Sequence, residues 1–234
     1  MEHRKSTFVV TIEEAEMSDR AYWDRFYQQD HPDISEPTAF ARHCVSLLPE
    51  SSSIFEIGCG NGRDAIFMAR NGLRVFASDA SQVAIDGVRE RAQALPSIHA
   101  LRLIAQPIEL LDDRLAGELD AVYMRFILHA IQGDVASIGL RWAFRNLRQG
   151  GRLFVEARSV RGSLYGVGRP AGRDAFFQDE HYRRFIRLQE LSEEIAAIGF
   201  RLDESVEAEG LAVHGSDNPV VIRLFVTRTE RRTA

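Results

Sequence analysis

The chain of 234 residues has only two cysteines, Cys44 and Cys59, a single lysine, Lys5, and no long apolar run. The two cysteines form no CxxC pair, which excludes a disulfide-stapled scaffold and argues against a thiolate metal site, so no metal is predicted. No stretch of about 18 consecutive apolar residues is present, and no membrane-spanning helix or membrane partner is expected. Because no apolar signal segment follows Met1, we expect a soluble, cytoplasmic protein.

The shortage of lysine means that 28 of the 29 cationic residues are arginine. The net charge of −5 argues against a general nucleic-acid binder, which needs a basic face. With 45% hydrophobic residues the chain can form the core of one large domain. Any anion that this protein binds will meet guanidinium groups, which suit carboxylate and phosphate bidentately.

From about residue 54 onward, short apolar runs alternate with glycine turns and helical patterns. The runs predict five strands, at residues 53–57, 74–78, 101–104, 119–124 and 152–156. Helices are predicted at 64–70, after Ser81 and up to Pro96, after Asp134, and from Leu188 until Gly199 ends the last one.

Two further strand-like runs, at about 204–213 and 220–227, flank the turn at 215–219 and predict an antiparallel pair. Alternating βα units that end in a hairpin predict an α/β fold. We expect an open, mostly parallel seven-stranded sheet with a C-terminal antiparallel hairpin strand and helices on both faces. Ligands in such sheets bind beyond the carboxyl ends of the strands.

A glycine-rich turn, Glu-Ile-Gly-Cys-Gly-Asn-Gly at residues 56–62, lies where the first strand becomes a helix. Glycines allow a tight turn and let a ligand lie close to the backbone. The carboxylate of Glu56 can pair with a ligand ammonium group, and Asp79 at the end of the second strand can accept hydrogen bonds from a ribose diol.

Together with the Gly150-Gly151 pair and the terminal hairpin, this pattern resembles the class I S-adenosylmethionine-dependent methyltransferases over about residues 40–228. The resemblance implies a Rossmann-like fold, S-adenosyl-L-methionine as cofactor and a small-molecule substrate. It implies a helical cap over the cofactor site at 1–45, a methyltransferase domain at 46–234, and a lid insertion at about 158–187. The cofactor-binding residues that it implies are Glu56, Gly58, Gly60, Gly62, Asp79, Ala80, Gln106, Pro107, Ile108, Tyr22 and Trp23.

Several alternatives remain open at this point. Residues 60–65 also fit the G-x-G-x-x-A pattern of NAD(P)-dependent oxidoreductases, although Glu56 would then lie near a pyrophosphate. A cofactor-binding module without turnover is a third possibility. Many family members carry an acid where Gln106 stands, and Ala80, Ile108 and Phe126 could equally be ordinary core residues. The aromatics of residues 18–27 could cover the cofactor or simply pack on the core.

Methyl transfer from a sulfonium is an in-line displacement, so the protein contributes chiefly alignment and exclusion of water. A base is needed only when the acceptor is not already ionised. The candidate catalytic residues follow strands four and five: Arg125, His129 and Arg158. His129 is the best candidate base by position and reference pKa, although a histidine that merely packs a loop is an equal alternative.

The lid insertion reverses the charge of the chain. It contains seven arginines and only three acids, Asp174, Asp179 and Glu180, so its formal net charge is +4, whereas the remainder of the chain carries −9. A charge run is usually a solvated surface, but this reversal favours a segment that binds an anion. We therefore expect methyl transfer to a small anionic substrate, on oxygen. The predicted substrate-binding residues are Arg161, Tyr165, Arg169, Arg173, His181, Tyr182 and Arg183.

Overall fold

The computed structural model describes residues 21–29, 36–93, 101–178 and 181–229. The helices of this part of the chain are α1 (residues 21–28), α2 (Ala39–Ser46), α3 (Arg63–Arg70), α4 (Gln82–Gln93), α5 (Gly133–Asn146) and α6 (Leu188–Ile198), with a 3₁₀ turn at Ile108–Leu110. The strands are β1 (Ser53–Ile57), β2 (Arg74–Asp79), β3 (Leu101–Ala105), β4 (Leu119–Arg125), β5 (Leu147–Arg158), β6 (Arg169–Gly172), β7 (Ala175–Gln178), β8 (His181–Arg184), β9 (Phe200–Ala208) and β10 (Val221–Arg228).

Seven strands of the described chain form one sheet in the order β3-β2-β1-β4-β5-β10-β9. The first five are parallel, and β10 runs antiparallel to both of its neighbours. This confirms the predicted open, mostly parallel sheet with its C-terminal hairpin. Because β9 therefore runs in the same direction as β5, the loop after β9 lies at the edge where β1, β2, β4 and β5 end.

Both faces of the sheet are covered, so its central strands are apolar on both sides. On one face Phe55 packs against Trp142 of α5, with ring centroids 4.7 Å apart. On the other, Ile54 lies in a buried cluster with Phe40 of α2 and Met68 of α3. The alternation of neighbouring residues between two cores fixes β1, and with it the position of the glycine turn that follows.

Some predicted boundaries were wrong. The strand expected from residue 204 begins at Phe200, because Gly199 adopts a left-handed conformation and turns the chain directly from α6 into β9. That strand ends at Ala208, and the stretch predicted to continue it to residue 213 is loop. The N-cap position of α5 is occupied by Gln132, whose side chain makes no capping hydrogen bond, so Asp134 lies in the first turn instead of capping the helix. Pro96 lies outside the described residues.

The segment predicted to be a lid insertion contains a three-stranded antiparallel sheet, β6-β7-β8, between β5 and α6. The predicted domain boundary at residue 45 falls inside α2, where Phe40 and Cys44 are fully buried. In the described residues no helix is long and apolar enough to cross a membrane.

Candidate active site

A cavity of about 710 Å³ lies at the carboxyl ends of β1, β2, β4 and β5. This volume is in the range of small-molecule sites, and the location is where parallel sheets bind ligands. The glycine turn, residues 106–109, α1 and residues 209–219 between β9 and β10 all contribute to its walls. Among the described residues, no group of three or more histidine, cysteine, aspartate or glutamate side chains could hold a metal ion.

The glycine turn is held against the end of β2. The backbone N–H groups of Gly58 and Cys59 both donate to the carbonyl of Ser78, at 2.8 and 2.9 Å. Gly60 has φ +52°, and a Cβ at this position would lie 2.4 Å from the hydroxyl oxygen of Tyr27. Glycine is therefore favoured at residue 60, both by the left-handed conformation and by the close approach of α1. Gly62 faces Val88 of α4 and does not line the cavity.

Glu56 is a buried carboxylate at the base of this cavity. It is 4% exposed, and its Oε2 atom has no hydrogen-bond partner in the described structure. Burial, together with the nearby charge of Asp64, holds the pKa of Glu56 well above its ordinary value. A buried acceptor without a donor is costly, so this oxygen suits a ligand that brings a cationic donor.

Asp79 ends β2 on the opposite side of the glycine turn. Its Oδ2 accepts from the N–H of Gly60 at 2.8 Å, and its Oδ1 accepts from the N–H of Ser81 at 2.9 Å. A carboxylate offers about four acceptor positions, so roughly two remain for a ligand. The side chain lines the cavity, and burial raises its pKa. This geometry suits a pair of ligand hydroxyl groups.

The segment after β3 brings Gln106, Pro107 and Ile108 to the cavity, where Ala80 also lies. Ile108 contributes both to the core and to the cavity wall. It is 5% exposed and packs in the core beneath α5, and it also lines the cavity.

Helix α1 presents Trp23, Phe26 and Tyr27 to the cavity. Tyr22, predicted alongside Trp23, faces elsewhere: its ring stacks on His181 of β8, with centroids 4.7 Å apart and planes 14° from parallel. The structure thus brings Trp23 to the predicted cofactor site and does not bring Tyr22 there. Residues 18–20 of the predicted segment lie outside the described residues.

At the end of β4, Arg125 lines the cavity and donates from Nε to Glu156 Oε1 at 2.8 Å. The other oxygen of this fully buried carboxylate accepts from Arg223 Nε at 2.6 Å. Two guanidinium groups therefore share one carboxylate, which leaves one net positive charge beneath the cavity. Phe126 follows in a left-handed conformation, φ +58°, with its ring against the Arg125 guanidinium at 4.2 Å. Strain of this kind in a non-glycine residue concentrates at functional sites.

Arg158 ends β5 and also lines the cavity. Its guanidinium donates to both carboxylate oxygens of Asp217, which lies in the loop between β9 and β10. The arginine side chain is 10% exposed and that of the aspartate 43%.

His129 lies behind the cavity wall rather than in it. The residue is 5% exposed and does not line the cavity, and its Nδ1 accepts from the backbone N–H of Arg158 at 3.3 Å. Burial, reinforced by the charges of Arg158 and Arg183, holds its pKa well below the ordinary value. The imidazole is therefore neutral, and its geometry is that of a group that positions the end of β5.

The lid residues divide into two groups. Tyr182 lines the cavity, and next to it the half-buried Arg183 donates to Gln178 at 2.7 Å. The other predicted residues lie away from the cavity. Arg161 pairs with Glu207, Tyr165 bonds to Asp174, Arg169 lies over Phe177, Arg173 pairs with Glu190, and His181 is stacked on α1.

Two features of the cavity were not predicted from the sequence. Arg63 follows the glycine turn directly, and residues 209–219 contribute Ala212, His214 and Asp217. The last could have been found from topology, because β9 in the predicted hairpin runs in the same direction as the parallel strands. Its following loop must then lie at their carboxyl ends.

Comparison with known proteins identifies the family of this chain. Residues 26–205 match the family described as Methyltransferase domain. The ubiquinone biosynthesis O-methyltransferase of Xanthomonas axonopodis pv. citri is 27% identical over 194 residues, which cover 78% of this chain and 77% of that protein.

Solved structures share the fold at lower identity. A Burkholderia thailandensis 1,6-didemethyltoxoflavin-N1-methyltransferase, solved with S-adenosylhomocysteine, superimposes with a TM-score of 0.72 at 20% identity over 96% of this chain and 93% of that one. The [4+2]-cyclase SpnF superimposes with a TM-score of 0.68 at 17% identity over 92% and 94%. Since the fold is shared with a cyclase, the family match carries the assignment. The chain belongs to the methyltransferase domain family and is an S-adenosylmethionine-dependent methyltransferase.

Proposed function

We propose that this enzyme transfers the methyl group to an oxygen of a small acceptor that carries a carboxylate or phosphate. The proposal depends on one observation: the cavity has two electrostatically opposite ends. The cofactor half consists of residues 56–62, Asp79 and residues 106–109. The acceptor half consists of Arg125, Arg158, Arg183, Arg223 and the carboxylates of Glu156 and Asp217.

In the cofactor half, the residues present fit S-adenosylmethionine. Glu56 Oε2 is a buried acceptor without a partner, which suits the ammonium of the amino-acid end. Asp79 has unused acceptor positions for the ribose hydroxyls, and Trp23 and Tyr27 cover the site from α1. When bound, the cofactor supplies an electrophilic methyl group on a sulfonium. Trp23 and Tyr27 on α1 would shield a cofactor bound beside the glycine turn from water.

In the acceptor half, Arg125, Arg158 and Asp217 line the cavity, and Arg183, Arg223 and Glu156 lie behind its wall. The four arginines of this group outnumber its two carboxylates, which leaves an excess of two positive charges within the group. Burial of Arg125 and Arg158 at strand ends makes that charge expensive unless an anion compensates it. A guanidinium presents its donors in a fixed plane, which suits an acceptor carboxylate or phosphate. An anion held there would be oriented toward the cofactor half along the wall formed by Phe126 and Ile127.

Oxygen as the methylated atom is supported by the O-methyltransferase activity for which the Xanthomonas relative is named. An oxygen that arrives ionised needs no base, and a hydroxyl would need one. His129 is turned away from the cavity, whereas His214 lines it. We therefore assign the role of candidate base to His214 and that of a positioning residue to His129.

The proposal can be tested with tritiated S-adenosylmethionine and a panel of small hydroxylated acids, their phosphate analogues, and matched neutral amides and amines. We expect transfer to anionic acceptors and none to their amides. Arg158→Lys should raise the acceptor KM about tenfold or more while leaving the Kd of S-adenosylhomocysteine unchanged, because lysine keeps the charge and loses the planar donors. Arg173→Lys, outside the cavity, is the matched control.

Preferential methylation of neutral amines, or an acceptor KM that Arg158→Lys leaves unchanged, would overturn the proposal.

A further inference from the structure

The Arg158–Asp217 pair occupies the place that the proposed function gives to the acceptor's anion. The carboxylate of Asp217 accepts from Nη1 and Nη2 of Arg158, the contact that a substrate carboxylate would make. Asp217 and Arg158 both line the cavity. A group supplied by the protein itself therefore fills the hydrogen-bonding plane of this arginine.

The charge of the Asp217 carboxylate also acts on a second arginine, Arg183. Burial and the charge of Arg158 lower the pKa of Arg183, and the charge of Asp217 acts in the opposite direction. The Nε atom of Arg183 is buried and has no hydrogen-bond partner in the described structure. The charge of Asp217 thus acts on two arginines that would otherwise repel each other, as the charge of a bound anion would.

The two carboxylates of the acceptor half differ in how firmly they are held. Glu156 is fully buried within β5 and shared by Arg125 and Arg223, so removing it from its partners would disrupt the sheet. Asp217 is 43% exposed and belongs to a loop. Because Arg158 is only 10% exposed, its charge needs an anionic partner, whereas Asp217 can return to water. The pair can therefore be broken at small cost when an acceptor anion takes the place of Asp217.

The loop itself is organised independently of the pair. His214 and Asp217 exchange two backbone hydrogen bonds, at 2.8 and 2.9 Å, and the N–H of Gly210 donates to Asn218 at 2.7 Å. These local bonds do not involve the Asp217 carboxylate. Its side chain can therefore leave Arg158 without disturbing β9, β10 or the turn between them.

We infer that Asp217 is an internal competitor for the acceptor's anion site. It neutralises Arg158 when no acceptor is present and is displaced when an anionic acceptor binds. Asp217 thereby sets both the affinity for the acceptor and its selectivity, because only an anion that binds Arg158 better than this carboxylate gains entry. The inference rests on the proposed function and assigns it a specificity-determining residue.

The test uses the full-length protein saturated with S-adenosylhomocysteine and measures the Kd of salicylate by calorimetry, with salicylamide as the neutral probe. Asp217→Asn should bind salicylate at least tenfold more tightly than wild type and bind salicylamide unchanged. Glu190→Gln makes the same change of charge beside an arginine that is 74% exposed, and it should leave both affinities unchanged. Arg158→Lys establishes whether salicylate binds at this arginine.

The outcomes separate the two ideas. Salicylate binding that Arg158→Lys weakens but Asp217→Asn leaves unchanged or weakens would overturn the competitor and leave the anion site intact, since Asp217 would then only orient Arg158. Salicylate binding that is absent from every variant, or indifferent to Arg158→Lys, would overturn the anionic-acceptor proposal and the competitor with it. A melting temperature within about two degrees of wild type excludes misfolding as the cause.

Discussion

The cofactor half and the acceptor half hold their charges in opposite ways. In the cofactor half the carboxylates of Glu56 and Asp79 form no ion pair with an arginine of the described residues, and Asp79 is fixed by backbone N–H groups. In the acceptor half, Arg125 and Arg158 are each fixed by a carboxylate of the chain. The comparison shows that backbone amides can organise an acid for a ligand without neutralising it. Side-chain partners organise a cation only by neutralising part of its charge.

The comparison predicts that the acceptor half is the more sensitive to loss of one charge. Glu156→Gln would leave two guanidinium groups buried with no carboxylate, and breaking a buried pair in this way costs about 3–5 kcal/mol. The free energy of unfolding from urea denaturation should fall by that amount. Glu190→Gln, at an exposed pair with Arg173, should change it by about 1 kcal/mol or less. Equal effects of the two substitutions would contradict the contrast between buried and exposed pairs.

The cofactor half should instead be most sensitive to shape. Gly60→Val would place atoms where Tyr27 lies and force a branched side chain into a left-handed conformation. We expect the Kd of S-adenosylhomocysteine to rise by about 100-fold or more, which corresponds to roughly 2.7 kcal/mol.

The matched control for that substitution is Gly72→Val, because Gly72 has φ +82° and no atom near its would-be Cβ. It carries the same conformational strain without the clash, so its cofactor affinity should be that of wild type. A similar loss of affinity in both variants would show that strain in the fold, rather than the approach of Tyr27, is responsible.

Asp79→Ala tests whether the acid itself contributes to binding. Loss of charge-assisted hydrogen bonds should weaken S-adenosylhomocysteine binding by about 1–3 kcal/mol, measured by calorimetry. Asp86→Ala removes an exposed acid of α4, bonded to Gln82 and Arg89, and should have no effect. An unchanged affinity in the Asp79 variant would remove this residue from the proposed cofactor site.

His129 should link the acceptor half to pH through stability. The pKa of His129 in the folded protein lies below the unfolded value of 6.5. On acidification this imidazole is therefore protonated in the unfolded chain before it is protonated in the folded protein. Stability is therefore complete above pH 6.5 and falls as the pH drops below it. Between pH 7.5 and 5.5 the wild type should lose about 1 kcal/mol more than His129→Asn, whose amide oxygen can still accept from Arg158. His43→Gln, at an exposed position, should follow the wild type, and a His129→Asn curve parallel to wild type would contradict the assignment.

The smallest effects are expected on the outer surface of the lid. Arg161, Arg169 and Arg173 lie outside the cavity, so their replacement by lysine should leave the acceptor KM within twofold of wild type at low and high ionic strength. A salt-dependent rise in KM in any one of them would extend the acceptor half onto the lid surface and return that arginine to the substrate-binding role predicted from sequence.

The cofactor half was largely predictable because its parts are local in the chain. The glycine turn and Asp79 follow consecutive strands, and the sheet order brings neighbouring strand ends together. The acceptor half was not predictable, because acids distant in the sequence determine where each arginine side chain lies. Arg161 pairs with Glu207 outside the cavity, whereas Arg158 pairs with Asp217 inside it. A local excess of arginine predicts a positive region but not which guanidinium groups point inward. Position likewise indicated His129, and only burial showed that it is turned away.

The stacking of Tyr22 on His181 has a kinetic consequence. This contact joins α1, which lies over the glycine turn, to the β6-β7-β8 sheet, which borders the acceptor half. The helix and the small sheet therefore form one continuous cover over the cavity. If the cofactor binds beneath α1 as proposed, this contact would have to open before S-adenosylhomocysteine could leave, whereas a methylated product could depart past the loop at residues 209–219. We therefore expect an ordered exchange, in which the methylated product dissociates first and release of S-adenosylhomocysteine limits turnover, visible as a burst of product in the first cycle.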